Sequence, residues 1–331
     1  MGKSMVVSKQ KFGEIGLEPV DLYKITNKNN TSISLLTYAA TWQNFEVVED
    51  GQKHSLIEHF DTLTDYMTTP YQVGKTIGRV AGRVKAGKFA INGVSYQVKP
   101  NDGTNLLHGG NNGLQYQNFV AEIDTDHSVI FNHVVDGEDG FLGKLKVQVR
   151  YSLSDDDEVA ITYTGKTNHD TLFNPTCHVY FDLGDTNLRQ QQLKINAKHF
   201  LDVDSEKIPT GKLLNTTNAY DFKNFKKIGQ GLKQLKPLDK FEYDDTFVVS
   251  GKAATLKTDK RAVDFTTDRN GLVIFTANPK DQQKAAEHDY SSLAMEMQTL
   301  PDAVNHADFG VSTLFKDKRV SYTNKYKYRK L

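Results

Sequence analysis

Three separated segments of the chain each carry an ionisable side chain among residues that form turns or strands. His108 precedes two glycines, His178 lies in segment 174–181, and Glu296 lies in segment 293–299. An imidazole titrates near neutral pH, and a carboxyl group can be tuned toward it. Two histidines and one glutamate brought together by folding are therefore sufficient to move protons at neutral pH.

Glu296 is predicted to lie on a strand. Alternation in segment 293–299 puts Glu296 and Gln298 on one face and apolar residues on the other. A carboxyl group on a largely apolar strand is either desolvated or held by hydrogen-bond donors, and both environments suit a general base. The alternative is a solvent-facing residue on an edge strand.

The two histidines have different surroundings. Asn174-Pro175 begins a turn, and the aromatic residues after His178 predict a buried strand. His178 is either functional or a core histidine with a satisfied hydrogen bond. The glycines after His108 allow the backbone to approach a ligand closely, and the alternative there is an exposed loop histidine.

Arg83 lies in a glycine-containing segment that only partly matches a phosphate-binding loop. Phe89 follows Gly87-Lys88 where a magnesium-binding Ser or Thr is needed, which excludes the nucleotide interpretation. Arg83 is instead predicted to donate to sugar hydroxyls or carboxylates, with a surface salt bridge as the alternative. No metal site is predicted, because the single cysteine, Cys177, rules out the common zinc patterns.

The composition limits the partners. The 331 residues contain 41 Lys and Arg and 41 Asp and Glu, so the net charge is zero. This balance argues against nucleic acid or a membrane surface and favours a neutral small molecule. One cysteine excludes an internal disulfide and fits a reducing compartment, and no apolar run is long enough to span a bilayer, so we expect a cytoplasmic protein. The oligomeric state is not indicated.

Short alternating segments dominate the chain and predict one mostly antiparallel all-β domain over residues 1–331. Asn92-Gly93 predicts a two-residue hairpin. Helical turns are expected only at 62–67 and 228–236. The clearest predicted strands are 145–151, 159–164, 272–276 and 320–328. The lysine-rich end, 325–330, is expected to be a last edge strand with its charged residues outward.

In chain order, several segments resemble those of the aldose 1-epimerases, or galactose mutarotases. They are 37–41, the Arg83 segment, the acidic glycine-rich loop 136–143, the segments around His178 and Glu296, and 300–306. The resemblance implies a large antiparallel β-sandwich of the galactose mutarotase type with an open sugar-binding cleft.

The resemblance also implies roles for single residues. Glu296 would be the base that takes the proton from the C1 hydroxyl, and His178 the acid that protonates the ring oxygen. Arg83, His108 and Asp244 would hydrogen-bond sugar hydroxyls. Asp245 is the alternative to Asp244 in this role. No cofactor or metal is implied. The chain departs from the family where Cys177 and Asp182 stand in place of asparagine and where Glu242 and Asp245 flank the aspartate motif.

The implied function is interconversion of the α and β anomers of a free aldose, galactose or glucose, with a disaccharide such as maltose also possible. One alternative is a hexose-phosphate 1-epimerase, which should show a basic cluster at its phosphate end. Another is a non-catalytic sugar-binding protein on the same scaffold, which would not need both Glu296 and His178. A glycosidase would need two carboxylates flanking one bond, and only Glu296 belongs to a strong motif.

Overall fold

Antiparallel strands dominate the structure, a computed structural model that describes residues 5–331. Its strands in chain order are β1 Val6–Ile15, β2 Glu18–Thr26, β3 Ser32–Leu36, β4 Thr41–Glu49, β5 Gln52–Ser55, β6 Thr76–Ile77, β7 Arg83–Val84, β8 Lys88–Ile91, β9 Val94–Gln97, β10 Leu106–Leu107, β11 Val120–Thr125, β12 Ser128–Asp136, β13 Lys144–Leu153, β14 Glu158–Thr167, β15 Thr171–Leu172, β16 Thr176–Cys177, β17 Tyr180–Phe181, β18 Gln192–Ile195, β19 His199–Val203, β20 Pro209–Asn215, β21 Lys226–Lys227, β22 Asp244–Val248, β23 Gly251–Lys257, β24 Arg261–Thr267, β25 Gly271–Ala277, β26 Ser292–Gln298, β27 Thr313–Leu314 and β28 Arg319–Lys330.

Three α-helices are short: α1 Leu63–Thr68, α2 Ile228–Leu235 and α3 Gln282–Ala286. The Thr62 side chain caps α1 by accepting the Asp65 N–H. The longest of these helices has eight residues, so no helix in the described part of the chain has the length and apolar run to cross a membrane.

Three larger sheets contain most of the strands. Their strand orders are β1-β2-β3-β4-β5, β11-β12-β13-β14-β28-β24-β23-β18-β21 and β17-β26-β25-β22-β19-β20. The core lies between them: Trp42 of the first sheet packs edge-on against Tyr326 of the second, with ring centroids 5.0 Å apart, and Phe181 of the third stacks on Tyr326 at 5.9 Å. The all-β antiparallel sandwich predicted from the sequence is confirmed.

The local predictions hold, with one exception. The predicted strands and both helical segments are present, and the hairpin forms at Asn92 and Gly93, both with positive φ. The edge-strand prediction for 325–330 is wrong, because β28 pairs with β14 on one side as far as Lys327 and with β24 on the other as far as Lys330. The alternation correctly predicts which side chains of this strand face water, since Lys325 is exposed and Tyr326 is buried. Alternation reports which face meets water and says nothing about lateral partners.

A buried ion pair joins the first and second sheets. The Arg261 guanidinium donates to Glu49 from Nε at 3.0 Å and from Nη2 at 2.7 Å. The Tyr328 hydroxyl donates to the same carboxylate at 2.6 Å, and Arg261 also donates to the Leu183 carbonyl. These contacts satisfy a charge pair whose side chains are almost fully buried.

Arg261→Ala should lower the free energy of unfolding by about 3–5 kcal/mol, because it leaves the Glu49 carboxylate buried without its cation. Urea unfolding measures the change. Arg329→Ala is the matched control: Arg329 pairs with Asp264 on the exposed face of β28, and its loss should cost less than about 1 kcal/mol. Equal effects of the two substitutions would contradict the structural role of the buried pair.

Candidate active site

Glu296 lies on an interior strand of the third sheet. Every residue of β26 is buried. Met295 and Met297 face the core, and Glu296 and Gln298, on the opposite face, line a cleft. Because β26 pairs with β17 on one side and β25 on the other, and only 3% of the Glu296 side chain is exposed, the alternative of a solvent-facing residue on an edge strand is excluded.

The neighbouring strands build the floor of the cleft beside Glu296. Glu296 is directly opposite Val273 of β25, and Val273 is opposite Thr246 of β22. All three side chains line the cleft. Directly paired residues project to the same face of a sheet, so the backbone ladder fixes the direction of the carboxyl group.

His178 lies between β16 and β17, directly beside Glu296. Its N–H donates to the Lys75 carbonyl, and its carbonyl accepts the Gly74 N–H, both at 2.9 Å. The imidazole packs against Tyr180, and its Nε2 is 3.4 Å from Oε1 of Glu296. The preceding residue, Cys177, points into the core, as expected for adjacent strand residues.

Burial controls the protonation of this pair. Desolvation, with a smaller contribution from the Asp244 charge, raises the pKa of Glu296 to about 8. Desolvation, followed by repulsion from His108, lowers the pKa of His178 to about 3. At neutral pH the pair therefore holds one proton, on Glu296, and the 3.4 Å contact joins a carboxylic acid to a neutral imidazole rather than two ions.

His108 and Arg83 line the cleft beside the pair: Arg83 begins β7, and His108 follows β10, the strand that pairs with β7. The Gly82 N–H donates to Nδ1 of His108 at 3.2 Å. Burial, followed by the Arg83 charge, lowers the pKa of His108 to about 3. The ring is thus neutral, with its proton on Nε2. Gly109 is required beside it, because a Cβ there would lie 2.2 Å from the Gly78 carbonyl oxygen. Arg83 is fixed by Asp102, to which its Nε donates at 2.7 Å.

The two aspartates of β22 have different environments. Both line the cleft, but only Asp244 pairs with the Lys207 ammonium group, which is also 3.4 Å from Glu242. Burial acts to lower the pKa of Lys207. The Asp244 carboxylate, with a smaller contribution from Glu242, outweighs this effect, so the pKa of Lys207 is raised overall. Asp245 is almost fully buried, and desolvation raises its pKa to about 6. Its Oδ2 accepts the Asp244 N–H at 3.2 Å.

All five predicted site residues, Glu296, His178, Arg83, His108 and Asp244, line this cleft of about 400 Å³. Other residues that line the cleft, among them Lys207, Phe275 and Tyr71, were not predicted, and Gln298 was predicted only to share a face with Glu296. Lys207 lies in a polar turn, and nothing local indicates that it reaches Asp244, 37 residues away. The alternation on β25 and β26 could have identified Phe275 and Gln298.

Within residues 5–331, no three His, Cys, Asp or Glu side chains are grouped so that they could hold a metal ion. The chemistry that the cleft can perform with its own side chains is proton transfer. One carboxyl group and one imidazole lie together at its floor, and cationic, imidazole and carboxylate groups around them can bind hydroxyls.

Comparisons with known proteins agree with this fold. The family model described as Aldose 1-epimerase matches residues 21–327. The chain belongs to the aldose 1-epimerase family. It is 38% identical to the maltose epimerase of Levilactobacillus brevis, covering 98% of this chain and 99% of that protein. It is 34% identical to an aldose 1-epimerase of Streptococcus thermophilus, with the same coverage of each chain.

Solved structures agree with this membership. The crystal structure of galactose 1-epimerase from Lactobacillus acidophilus superimposes with a TM-score of 0.87 at 25% identity, covering 99% of each chain. The resemblance to aldose 1-epimerases is therefore confirmed, and the chain is an enzyme of this family that interconverts the anomers of aldoses.

In this epimerase, Asp244→Ala and Asp245→Ala should affect different properties. Asp244→Ala should raise KM for the sugar by about tenfold, because a charged hydrogen-bond acceptor is worth about 1.5 kcal/mol or more. Asp245→Ala should instead lower the free energy of unfolding by about 1–2 kcal/mol, with KM nearly unchanged. Polarimetry and urea unfolding measure the two effects. Negligible effects at both positions would show that neither aspartate contacts the sugar.

Proposed function

We propose that Glu296 and His178 are the catalytic base and acid of this aldose 1-epimerase, and that Arg83, His108 and Asp244 hold the sugar hydroxyls. The observation that carries the proposal is the 3.4 Å contact between Glu296 and His178 at the floor of the cleft. Anomer exchange requires a proton to leave the C1 hydroxyl while another reaches the ring oxygen, so it needs one base and one acid within reach of adjacent oxygens.

One proton shared by the pair is sufficient for the whole cycle. Ring opening uses ionised Glu296 and protonated His178: the carboxylate takes the O1 proton, the imidazolium donates to O5, and the C1–O5 bond breaks. The aldehyde then rotates about C1–C2 to present its other face. In reclosure Glu296 returns a proton to O1 while His178 takes the proton from O5. The net proton count is unchanged.

Substrate binding favours the protonation state that ring opening requires, with Glu296 ionised and His178 protonated. In the free cleft the shared proton lies on Glu296, because desolvation raises the pKa of its carboxyl group. A sugar hydroxyl that donates to the carboxylate stabilises its charged form. Binding therefore shifts the proton toward His178, where the ring oxygen needs it.

The surroundings favour a neutral sugar over a phosphosugar. Lys207 is already paired with Asp244 and Glu242 at the cleft mouth. A phosphate dianion would have to displace these carboxylates and approach their charges. Neutral hydroxyls can bind to the same groups without this repulsion. We propose galactose and glucose as substrates, and the maltose epimerase named above supports a reducing disaccharide as well.

Glu296→Gln should reduce kcat by at least about 100-fold, because an amide of nearly the same shape cannot accept the O1 proton. KM should change little, since the binding groups remain. Polarimetry of freshly dissolved α-galactose and α-glucose measures the rate, with the spontaneous mutarotation subtracted. Glu122→Gln, on the exposed strand β11, is the control and should keep full activity. Normal turnover by Glu296→Gln would exclude Glu296 as the base.

The pH profile follows from the raised pKa of Glu296. Above about pH 8 the free enzyme loses the shared proton, which leaves the pair without an acid. The value of kcat/KM should therefore be constant near neutrality and fall as pH rises through about 8. Buried Lys75 also has its pKa lowered to about 8, by desolvation. Lys75→Met should keep the decrease in kcat/KM above about pH 8. If the decrease disappears in that variant, it reports the titration of Lys75 and not of Glu296.

A further inference from the structure

A second cavity adjoins the cleft at its mouth. It has a volume of about 430 Å³ and shares Val203, Lys207, Asp244 and Asp245 with the cleft. A volume of this size is within the range of small-molecule sites. Because the two cavities have four lining residues in common, a ligand in the cleft can continue into the second cavity. We call this second cavity the outer groove.

Exposure along the cleft gives the direction in which a bound sugar points. The side chain of Glu296 is 3% exposed, that of Asp244 is 28% exposed and that of Lys207 is 41% exposed. Asp244 lies two strands across the sheet from Glu296 and two residues along β22 from Thr246, which is in register with Glu296 through Val273. The two backbone positions are therefore roughly 12 Å apart, which is enough for one pyranose ring between their side chains. With C1 at Glu296, the C4 side of the ring lies toward Lys207 and the outer groove.

The outer groove contains an aromatic surface. The rings of Phe241 and His288 stack with centroids 4.6 Å apart and planes at 10°. Phe241 remains 42% exposed. Tyr290 fixes both residues, because its hydroxyl donates to the Phe241 carbonyl at 3.2 Å and lies 3.1 Å from Nδ1 of His288. A prearranged aromatic surface loses little conformational entropy when a ligand packs on it.

Acidic groups complete the outer groove. Five carboxylates line it, against the two lysines Lys207 and Lys240; the carboxylates are those of Asp204, Asp239, Glu242, Asp244 and Asp245. Carboxylates accept hydrogen bonds from hydroxyl groups and repel anions. An exposed aromatic ring covers the apolar C–H face of a pyranose. The combination fits a neutral sugar ring and opposes a phosphate group.

We propose that the outer groove is a second subsite, which binds the non-reducing ring of a disaccharide whose reducing ring reacts in the cleft. A glycosidic link at C4 of the reacting ring directs the second ring to Phe241. This inference rests on the proposed function, because it requires C1 to lie at Glu296 and His178. The substrate class is thus the 4-linked reducing disaccharides, of which maltose is the simplest probe.

The test compares maltose with glucose in the wild type and in Phe241→Ala. Polarimetry gives kcat/KM for each sugar, with maltose freshly generated as one anomer. The ratio of kcat/KM for maltose to that for glucose should fall about fivefold in the variant, because Phe241→Ala removes apolar surface on which the second ring packs. His288→Ala, which removes the other ring of the stack, should lower the same ratio, and Phe241→Trp should retain it.

Phe315→Ala is the matched control, because Phe315 is 44% exposed and lines neither cavity. It should leave the ratio unchanged. A wild type that accelerates glucose or galactose but not maltose would overturn the subsite and leave the proposed function intact. The subsite would also be overturned if the maltose-to-glucose ratio of kcat/KM stayed unchanged in both Phe241→Ala and His288→Ala. A wild type that accelerates none of these sugars would overturn the proposed function, and the subsite with it.

Discussion

The cleft depends on a carboxyl group that is buried without a cation beside it. Among the described residues, the group in ion-pair range of Glu296 is His178, which is neutral at neutral pH. An isolated carboxylate in such surroundings is costly, so the group keeps its proton. The same desolvation that destabilises the charge brings the pKa of Glu296 near the working pH, where a general base is most effective.

The rest of the structure holds this unfavourable arrangement in place. The side chains adjacent to Glu296 on β26 pack into the core, so the strand cannot rotate to expose the carboxyl group. His178 is held by backbone hydrogen bonds to the loop at Gly74 and Lys75. Positioning by a rigid sheet and pinned loops supplies the orientation that proton transfer between adjacent sugar oxygens needs. The more exposed charges, on Asp244 and Lys207, lie toward the mouth, where water and sugar hydroxyls can both solvate them.

Much of this arrangement could be predicted from the sequence, because the signals were local or belonged to a family pattern. Alternation in segment 293–299 predicts the face that Glu296 shares with Gln298, and Asn92-Gly93 predicts its hairpin. The rest depends on contacts between distant segments. Nothing near Lys207 indicates its pairing with Asp244, and the alternation in 320–328 does not reveal that β28 has a partner on each side. The stacking of Phe241 on His288 joins a loop before β22 to the end of α3 and has no local signal.

In the proposed mechanism, Glu296 and His178 act as one unit that shares a proton. The most direct test is a double-mutant cycle with Glu296→Gln, His178→Asn and the combined variant, each assayed by polarimetry for kcat/KM on galactose. Residues that act as a unit show strongly non-additive losses. If the two side chains share one proton, the combined variant should be no slower than the slower single variant. Losses that multiply in the combined variant would show that the two side chains act independently and would contradict the shared-proton mechanism.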